Sequence, residues 1–446
     1  MTISVFKNLQ THKAVFALAF PMVLSNITVP LLGLVDTAVI GHLEHAFYLG
    51  GVAMGSTMIT VLFFLLGFLR MSTTGLTAQA LGANDKQALV RVLAQGVLMS
   101  LLAALVILLI HPLIERVVLG LSDASDEVRF YAEEYFSVRI WSAPATLTNM
   151  VIMGWLLGTQ NARLPMVLSI VVNIFNIGLD ILFVVGFDWK VQGAAAASVL
   201  ADYAGLVLGI WFVIRRSRQL QLGTFAKPFA SIRQGIGRFV RLNRDIFLRS
   251  LSLQLVFSFM TFQGATLGDN IIAANAVLMS FLMLISYAMD GFAYAMESMV
   301  GKAIGAKDRQ QLTITLSVTT FWGGIGAVLL TVVFGVFGAQ IVAIISDIDA
   351  VRSEASIYLP WLIVMPVISM WCFLLDGIFI GATRGKDMRN TMLLAMLGFF
   401  FVWWALNDFG NHALWAAMLT FMGLRGGLLA VVMFYQWRKE QFLPEH

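Results

Sequence analysis

The stretch Gly82-Ala83-Asn84-Asp85 returns as Gly305-Ala306-Lys307-Asp308, 223 residues later in a chain of 446. The same offset aligns further residues without a gap. A repeat of this length in an apolar chain predicts two helical bundles that arose by duplication, an arrangement common among membrane transporters. The other matching pairs are Tyr135 with Tyr358, Gly154 with Gly377, Gly158 with Gly381, and Ala194 with Ala417.

The composition is that of an integral membrane protein. Hydrophobic residues make up 59% of the chain and charged residues only 12%, about half the charged fraction of a soluble protein. Each half contains six apolar stretches near the length of about 20 residues that a membrane span needs. We therefore predict an all-α protein with twelve transmembrane helices in two six-helix bundles. The stretches cover roughly 13–40, 48–78, 89–111, 131–158, 164–186, 193–215, 245–263, 271–304, 312–337, 358–382, 390–407 and 411–436.

The two halves are predicted as separate lobes. The N-lobe takes residues 1–215 and the C-lobe residues 245–446, and a basic linker at 216–244 is expected to lie on the membrane surface among the lipid headgroups. The first apolar stretch is too long for a cleavable signal peptide. The single cysteine, Cys372, excludes an intramolecular disulfide.

The distribution of lysine and arginine predicts the orientation. Of 29 such residues, 21 fall in segments on the side of the N-terminus and four in loops on the other side. The positive-inside rule then places both termini in the cytoplasm. The formal charge of +4 reflects this topology, and nucleic acid is not predicted as a partner.

Ionisable residues at membrane depth are costly, so each one indicates a partner or a function. Span direction and the helical rise of about 1.5 Å per residue bring polar residues of spans 1, 5 and 6 to similar depth. Carboxylates that share a low-dielectric pocket repel one another, and one of them is expected to take up a proton. The set would bind protons or Na⁺, or else hold the three spans together as a structural polar cluster. Its members are Asp36, Asn176, Asp180, Ser198 and Asp202.

Two further features bear on this site. Pro21 removes a backbone hydrogen bond within span 1, so it is either a hinge that moves Asp36 or a static kink. The C-lobe does not copy the polar set: Asp202, for example, is replaced by Arg425 at the repeat-equivalent position. Its own acids form a possible C-lobe site of Asp290, Glu297 and Asp376.

Six motifs together resemble the multidrug and toxic compound extrusion (MATE) family, in particular its bacterial DinF-type branch. The resemblance covers essentially the whole chain and depends on the order and spacing of the motifs. The family fold is a V-shaped transporter of two lobes. The motifs are GAND with GAKD, GWLLGTQNARLP (Gly154 to Pro165), NIFNIGLD (Asn173 to Asp180), GAAAAS (Gly193 to Ser198), MDGFAYAMESMVGKAIGAKD (Met289 to Asp308) and LDGIFIGATRGKDMRN (Leu375 to Asn390).

The resemblance implies roles for the N-lobe residues. It implies a cation site at Asp36, Asn176 and Asp180, with Ser198 where members carry a small hydroxyl residue. Tyr135 matches a span-4 tyrosine that faces the N-lobe cavity.

The resemblance also bears on the coupling ion. Pro21 matches a proline about which span 1 bends in some members, and Asp376 matches a carboxylate that another branch uses for its ion. The Na⁺-coupled branch tends to carry an acid in span 7, where this chain has Gln254 and Gln263. This departure favours H⁺ at the N-lobe.

We therefore predict an antiporter of the bacterial inner membrane, a monomer without a cofactor or resident metal, that exports cationic, lipophilic compounds in exchange for H⁺. Protonation of Asp36 would be coupled to bending of span 1. Na⁺-coupled antiport and a flippase for lipid-linked precursors remain alternatives. A membrane-embedded enzyme is disfavoured because the sequence has neither an HExxH metal-protease motif nor a Walker A loop.

Overall fold

The computed structural model describes residues 9–41, 43–122, 124–223 and 232–442. For five residues within the first helix the backbone alone is described. In these ranges twelve helical spans are long and apolar enough to cross a membrane, which confirms the predicted number. Part of the predicted linker, residues 224–231, lies outside the described residues. The five residues without a described side chain are Leu31, Leu32, Leu34, Asp36 and Thr37.

Of the first six spans, three are continuous helices and three are interrupted or change helix type. Span 5 ends in a π-helical segment, and span 4 is joined across a short 3₁₀ turn. Their helices are Leu9–Gly41 (span 1), Ala46–Leu65 and Phe68–Gly82 (span 2), Lys86–Gly120 (span 3), Asp126–Arg139 and Ala143–Gly158 (span 4), Arg163–Asp180 with Ile181–Gly186 (span 5), and Lys190–Gln219 (span 6).

The last six spans are continuous helices. Several are longer than a bilayer requires, because one residue rises about 1.5 Å and the hydrocarbon core is about 30 Å thick. They are Ile236–Ala265 (span 7), Asp269–Gly305 (span 8), Arg309–Ile345 (span 9), Asp349–Gly381 (span 10), Gly385–Ala405 (span 11) and Asn411–Arg438 (span 12).

The repeated tetrapeptides build the same turn in both halves. Asn84 and Lys307 take positive φ values of 54° and 56°. Asp85 then caps span 3 by accepting the Ala88 N–H at 2.8 Å, and Asp308 caps span 9 in the same way. Such caps satisfy backbone donors that a helix start leaves free. The motif is therefore explained by local turn chemistry.

Spans 4 and 10, which the repeat relates, are the most buried of their halves: 72% of the residues in an apolar 18-residue segment of each are buried. Both cross a neighbour at a glycine. A Cβ atom on Gly154 would lie 2.5 Å from the Arg70 carbonyl oxygen, and one on Gly377 would lie 2.5 Å from that of Ala293. Arg70 and Ala293 are again 223 positions apart. The duplicated glycines thus allow equivalent close helix contacts.

Replacement of Gly154 by alanine is expected to lower the free energy of unfolding by about 1–3 kcal/mol, because the new methyl group overlaps a backbone carbonyl that cannot rotate away. Gly427→Ala is the matched control, since no heavy atom lies within 4 Å of its Cβ position. Thermal unfolding of the purified proteins in detergent tests this. Equal melting temperatures for Gly154→Ala and the native protein would contradict it.

The chain forms two compact units, and span 1 is shared between them. One unit takes the residues up to Val23, the turn Leu81–Asn84 and everything from Val240. The other takes Leu24–Ala80 and Asp85–Phe239. The helix of span 1 runs without interruption through Pro21 and Pro30. It changes unit directly after its first internal proline.

Candidate functional site in the N-terminal half

The polar side chains of span 5 lie on one helical face. Asn173, Asn176 and Asp180 are separated by three and four residues, the spacing that aligns side chains along a helix. Asn176 and Asp180 are each only 2% exposed. The π-helical segment Ile181–Gly186 begins immediately after Asp180. Such segments are rare and are often found at functional sites, so the local backbone also distinguishes this position.

Asn176 connects span 5 to span 6. Its Nδ2 atom donates a hydrogen bond to Ser198 Oγ at 3.2 Å. Its Oδ1 atom is buried and accepts no hydrogen bond from any residue that the structure describes. The predicted pair Asn176 and Ser198 is thus brought together, and one buried acceptor remains available. A buried acceptor of this kind favours binding of a proton donor or a cation.

A second contact fixes the register of span 1 against span 5. Asn173 Nδ2 donates to Thr28 Oγ1 at 2.9 Å, and three membrane spans lie between spans 1 and 5, so both run in the same direction. Residue 36 lies about 12 Å beyond Thr28, and Asp180 lies about 10.5 Å beyond Asn173. The backbone of Asp36 is therefore level with that of Asp180, although its side chain lies outside the described residues.

An apolar layer covers this polar level on the side where span 1 ends. Ile40 and Val184 each lie four residues beyond Asp36 and Asp180, and Ala194 lies one turn from Ser198. Together with Tyr135 they belong to one buried cluster, in which Tyr135 is 6% exposed. The remaining members are Tyr48, Val52, Val191 and Ala195. The layer separates the polar residues from that end of the bundle.

Asp202 makes its contacts with span 4. Its Oδ2 atom accepts hydrogen bonds from Arg139 Nη1 at 2.7 Å and from Thr146 Oγ1 at 2.8 Å. Asn149 Nδ2 donates to its backbone carbonyl at 3.0 Å. The negative charge of Asp202 is thus compensated by arginine within a hydrogen-bonded group. Sequence reasoning grouped Asp202 with the residues of spans 1 and 5 and did not identify these partners.

In the C-terminal half, Asp376 lies between two arginines. Its Oδ2 atom accepts a hydrogen bond from Arg425 Nη2 at 2.9 Å and another from Arg249 Nη2. All three side chains are less than 10% exposed. Of the other predicted acids, Glu297 is 1% exposed and Asp290 is partly buried. The structure therefore gives Asp376 a compensated charge.

One member of each ion pair occupies a repeat-equivalent position, with the opposite charge in the other half. Asp202 and Arg425 occupy equivalent positions in spans 6 and 12. Each binds an oppositely charged residue on the most buried span of its own half, Arg139 in span 4 and Asp376 in span 10. The same helix pair is thus bridged in both halves. No local sequence pattern indicated that Arg139 would bind Asp202 or that Arg425 would bind Asp376.

Comparison with known proteins places the chain in a family. The MatE family model matches residues 21–182 and 246–407, one match in each half. DNA damage-inducible protein F of Escherichia coli is 48% identical over 428 residues, which cover 96% of this chain and 93% of that protein. The probable multidrug resistance protein NorM of Thermotoga maritima is 22% identical over 97% of this chain and 94% of its own.

Solved structures show the same fold. A MATE transporter in a bent conformation superposes with a TM-score of 0.87 at 20% identity, and the match covers 100% of both chains. A MOP superfamily transporter from Pyrococcus furiosus superposes with a TM-score of 0.86 at 19% identity, covering 98% of this chain and 97% of its own. The chain therefore belongs to the MATE family of multi-pass membrane antiporters, which export drugs and other toxic compounds, and it is not an enzyme.

Proposed function

We propose that this protein exports cationic, amphipathic compounds in exchange for protons, and that the N-terminal half binds the coupling proton. The observation that carries the proposal is the burial of Asp180 and Asn176 on one face of span 5, with the backbone of Asp36 at the same level. Burial favours the neutral form of a carboxyl group over its charged form. Two carboxyl groups at one level are therefore suited to take up a proton.

The unsatisfied amide oxygen of Asn176 supports this chemistry. An ionised carboxylate can only accept hydrogen bonds, whereas a protonated carboxyl group can also donate one. Asn176 Oδ1 is a buried acceptor with no donor in the described part of the chain. A protonated carboxyl group would supply the missing donor. The amide would thus stabilise the proton-loaded state.

The compensated acids support an N-terminal location for the coupling site. Asp376 binds two arginines and Asp202 binds one. A cation that bound at either carboxylate would have to compete with a guanidinium that is already hydrogen-bonded in place. We therefore assign Asp202 and Asp376 mainly structural roles, and Asp36 and Asp180 the coupling role.

Bending of span 1 would couple proton binding to the conformational change of transport. Asp36 lies beyond Pro21, near which the helix passes from one unit to the other. A proline removes one helical hydrogen bond and lowers the cost of bending. Protonation of Asp36 would be coupled to bending of span 1 at Pro21. We place the protein in the bacterial inner membrane with both termini in the cytoplasm.

Addition of ethidium to inverted vesicles with an acidic interior should dissipate the pH gradient at the same rate in sodium and in choline buffer. Protons should leave the lumen as the cationic dye enters it. Vesicles without the protein are the control, and the readout is a fluorescent pH indicator. Dye uptake driven by an outward Na⁺ gradient, with no dissipation of the pH gradient, would favour Na⁺ coupling, because carboxylate, amide and hydroxyl oxygens also bind that ion. No substrate-dependent dissipation would contradict antiport with protons.

A further inference from the structure

Thr28 lies in the section of span 1 between Pro21 and Asp36, where bending has to take effect. We propose that the hydrogen bond from Asn173 to Thr28 is a latch that holds this section of the uninterrupted span 1 helix against span 5, and that it opens when span 1 bends. This inference rests on the proposed proton coupling. Thr28 and Asn173 are then positioning residues, which act through the carboxyl groups and do not bind the proton.

The Thr28 hydroxyl group makes two hydrogen bonds in the uninterrupted helix of span 1. It donates its proton to the Ser25 carbonyl oxygen at 2.7 Å and accepts a hydrogen bond from Asn173 Nδ2 at 2.9 Å. A hydroxyl group that binds a carbonyl of the preceding turn also tends to bend a helix. The contact with Asn173 therefore fixes a position at which the helix is already perturbed.

The helix around Thr28 has fewer backbone hydrogen bonds than a regular α-helix of the same length. Pro21 and Pro30 lack an N–H group, so the helix loses two of its internal hydrogen bonds within ten residues. A single side-chain contact contributes a larger share of the local stability in such a section. Loss of the latch is therefore expected to change the equilibrium between conformations of span 1.

The part of span 1 before Pro21 is held by other contacts. Trp322 Nε1 in span 9 donates to His12 Nδ1 at 2.9 Å. Gly291 in span 8 packs so closely on span 1 that its Cβ position would lie 2.8 Å from the Ala19 carbonyl oxygen. These contacts lie within the unit to which span 1 belongs as far as Val23. Pro21, the proposed hinge, thus lies between a section of span 1 that contacts spans 8 and 9 and the section that the bond at Thr28 holds.

The latch lies on the same helical face as the residues of the proposed proton site. Asn173 lies about 4.5 Å along the helix from Asn176 and about 10.5 Å from Asp180, on the same face. Rotation or displacement of this face on protonation would change the geometry of the bond to Thr28. Conversely, if proton binding and bending are coupled as proposed, loss of the bond would favour both the bent conformation and proton binding. Linkage requires the two effects to be reciprocal.

The test compares Thr28→Val with Thr28→Ser. Valine has nearly the shape of threonine but loses both hydrogen bonds, whereas serine retains both. A neutral hydrogen bond contributes about 0.5–1.5 kcal/mol, so its loss should increase the apparent proton affinity about 2- to 12-fold. The pH midpoint of dye export should therefore move to higher pH by up to about one unit in Thr28→Val and remain native in Thr28→Ser.

Asn173→Leu provides a second, independent variant. It should shift the midpoint in the same direction, and the double variant should shift it no further than Thr28→Val alone, because both single changes remove the bond between Thr28 and Asn173. A purely structural role would instead lower export at every pH with an unchanged midpoint. An unchanged midpoint in folded Thr28→Val and Asn173→Leu would overturn the latch. It would leave proton coupling intact if Asp180→Asn were inactive, so the two failures are distinguishable.

Discussion

Asp180→Asn should lower proton-driven export of a cationic dye about 5- to 150-fold. This fold-change corresponds to the typical coupling free energy between two binding sites. Asparagine keeps the size and hydrogen-bonding capacity of the side chain, but it can neither lose nor gain a proton at this depth. The position is 2% exposed and lies next to the Asn176–Ser198 bond, so a change in its protonation is sensed by the adjacent polar residues. Dye efflux from energised cells without other efflux pumps is the measurement.

Two further variants test this prediction, one at the proposed site and one outside it. Asp36→Asn should have an equally large effect, because its backbone is level with that of Asp180. Asp188→Asn is the matched control: it carries the same substitution eight residues further on, at an exposed position. Native export rates in Asp180→Asn, at native expression, would remove Asp180 from the coupling mechanism. Loss of export in Asp188→Asn would show that the assay responds to folding and not to the site.

The repeat made most of the fold predictable. It indicated two bundles of six spans because loop and packing residues repeat at one offset. The structure supplies the reason that these residues persist. Asn84 and Lys307 have the same positive φ, Asp85 and Asp308 cap equivalent helices, and the absence of a side chain at Gly154 lets span 4 approach its neighbour. Such positions are constrained by backbone geometry, which tolerates little substitution.

The site was predictable only in part. Helical rise and span direction gave depth, and the spacing of Asn176 and Asp180 gave a shared face. Depth says nothing about rotation of a helix about its axis. For that reason Asp202, one turn from Ser198, could not be separated from the set, whereas in the structure it binds Arg139 on span 4. The contact between Thr28 and Asn173 depends on the packing of two distant spans, and no local pattern indicates it.

Loss of the buried carboxylate at Asp376 should have the largest effect on stability. Asp376→Asn leaves Arg249 and Arg425 buried without the counter-charge that both now bind. Removal of one partner from a buried ion pair costs about 3–5 kcal/mol, because the remaining charge is neither solvated nor compensated. Thermal unfolding of the purified protein should show a clearly lowered melting temperature.

Asp347→Asn is the control for this prediction, since its contact with Arg352 is fully exposed on the acidic side and surface ion pairs contribute little. A triple change of Arg249→Met, Asp376→Leu and Arg425→Met should recover much of the lost stability, because it removes all three desolvation penalties together. The folded fraction of Asp376→Asn should keep the native pH midpoint of export. A shifted midpoint there would instead give Asp376 a part in proton coupling, since a purely structural carboxylate changes how much protein folds and not how the folded protein responds to protons.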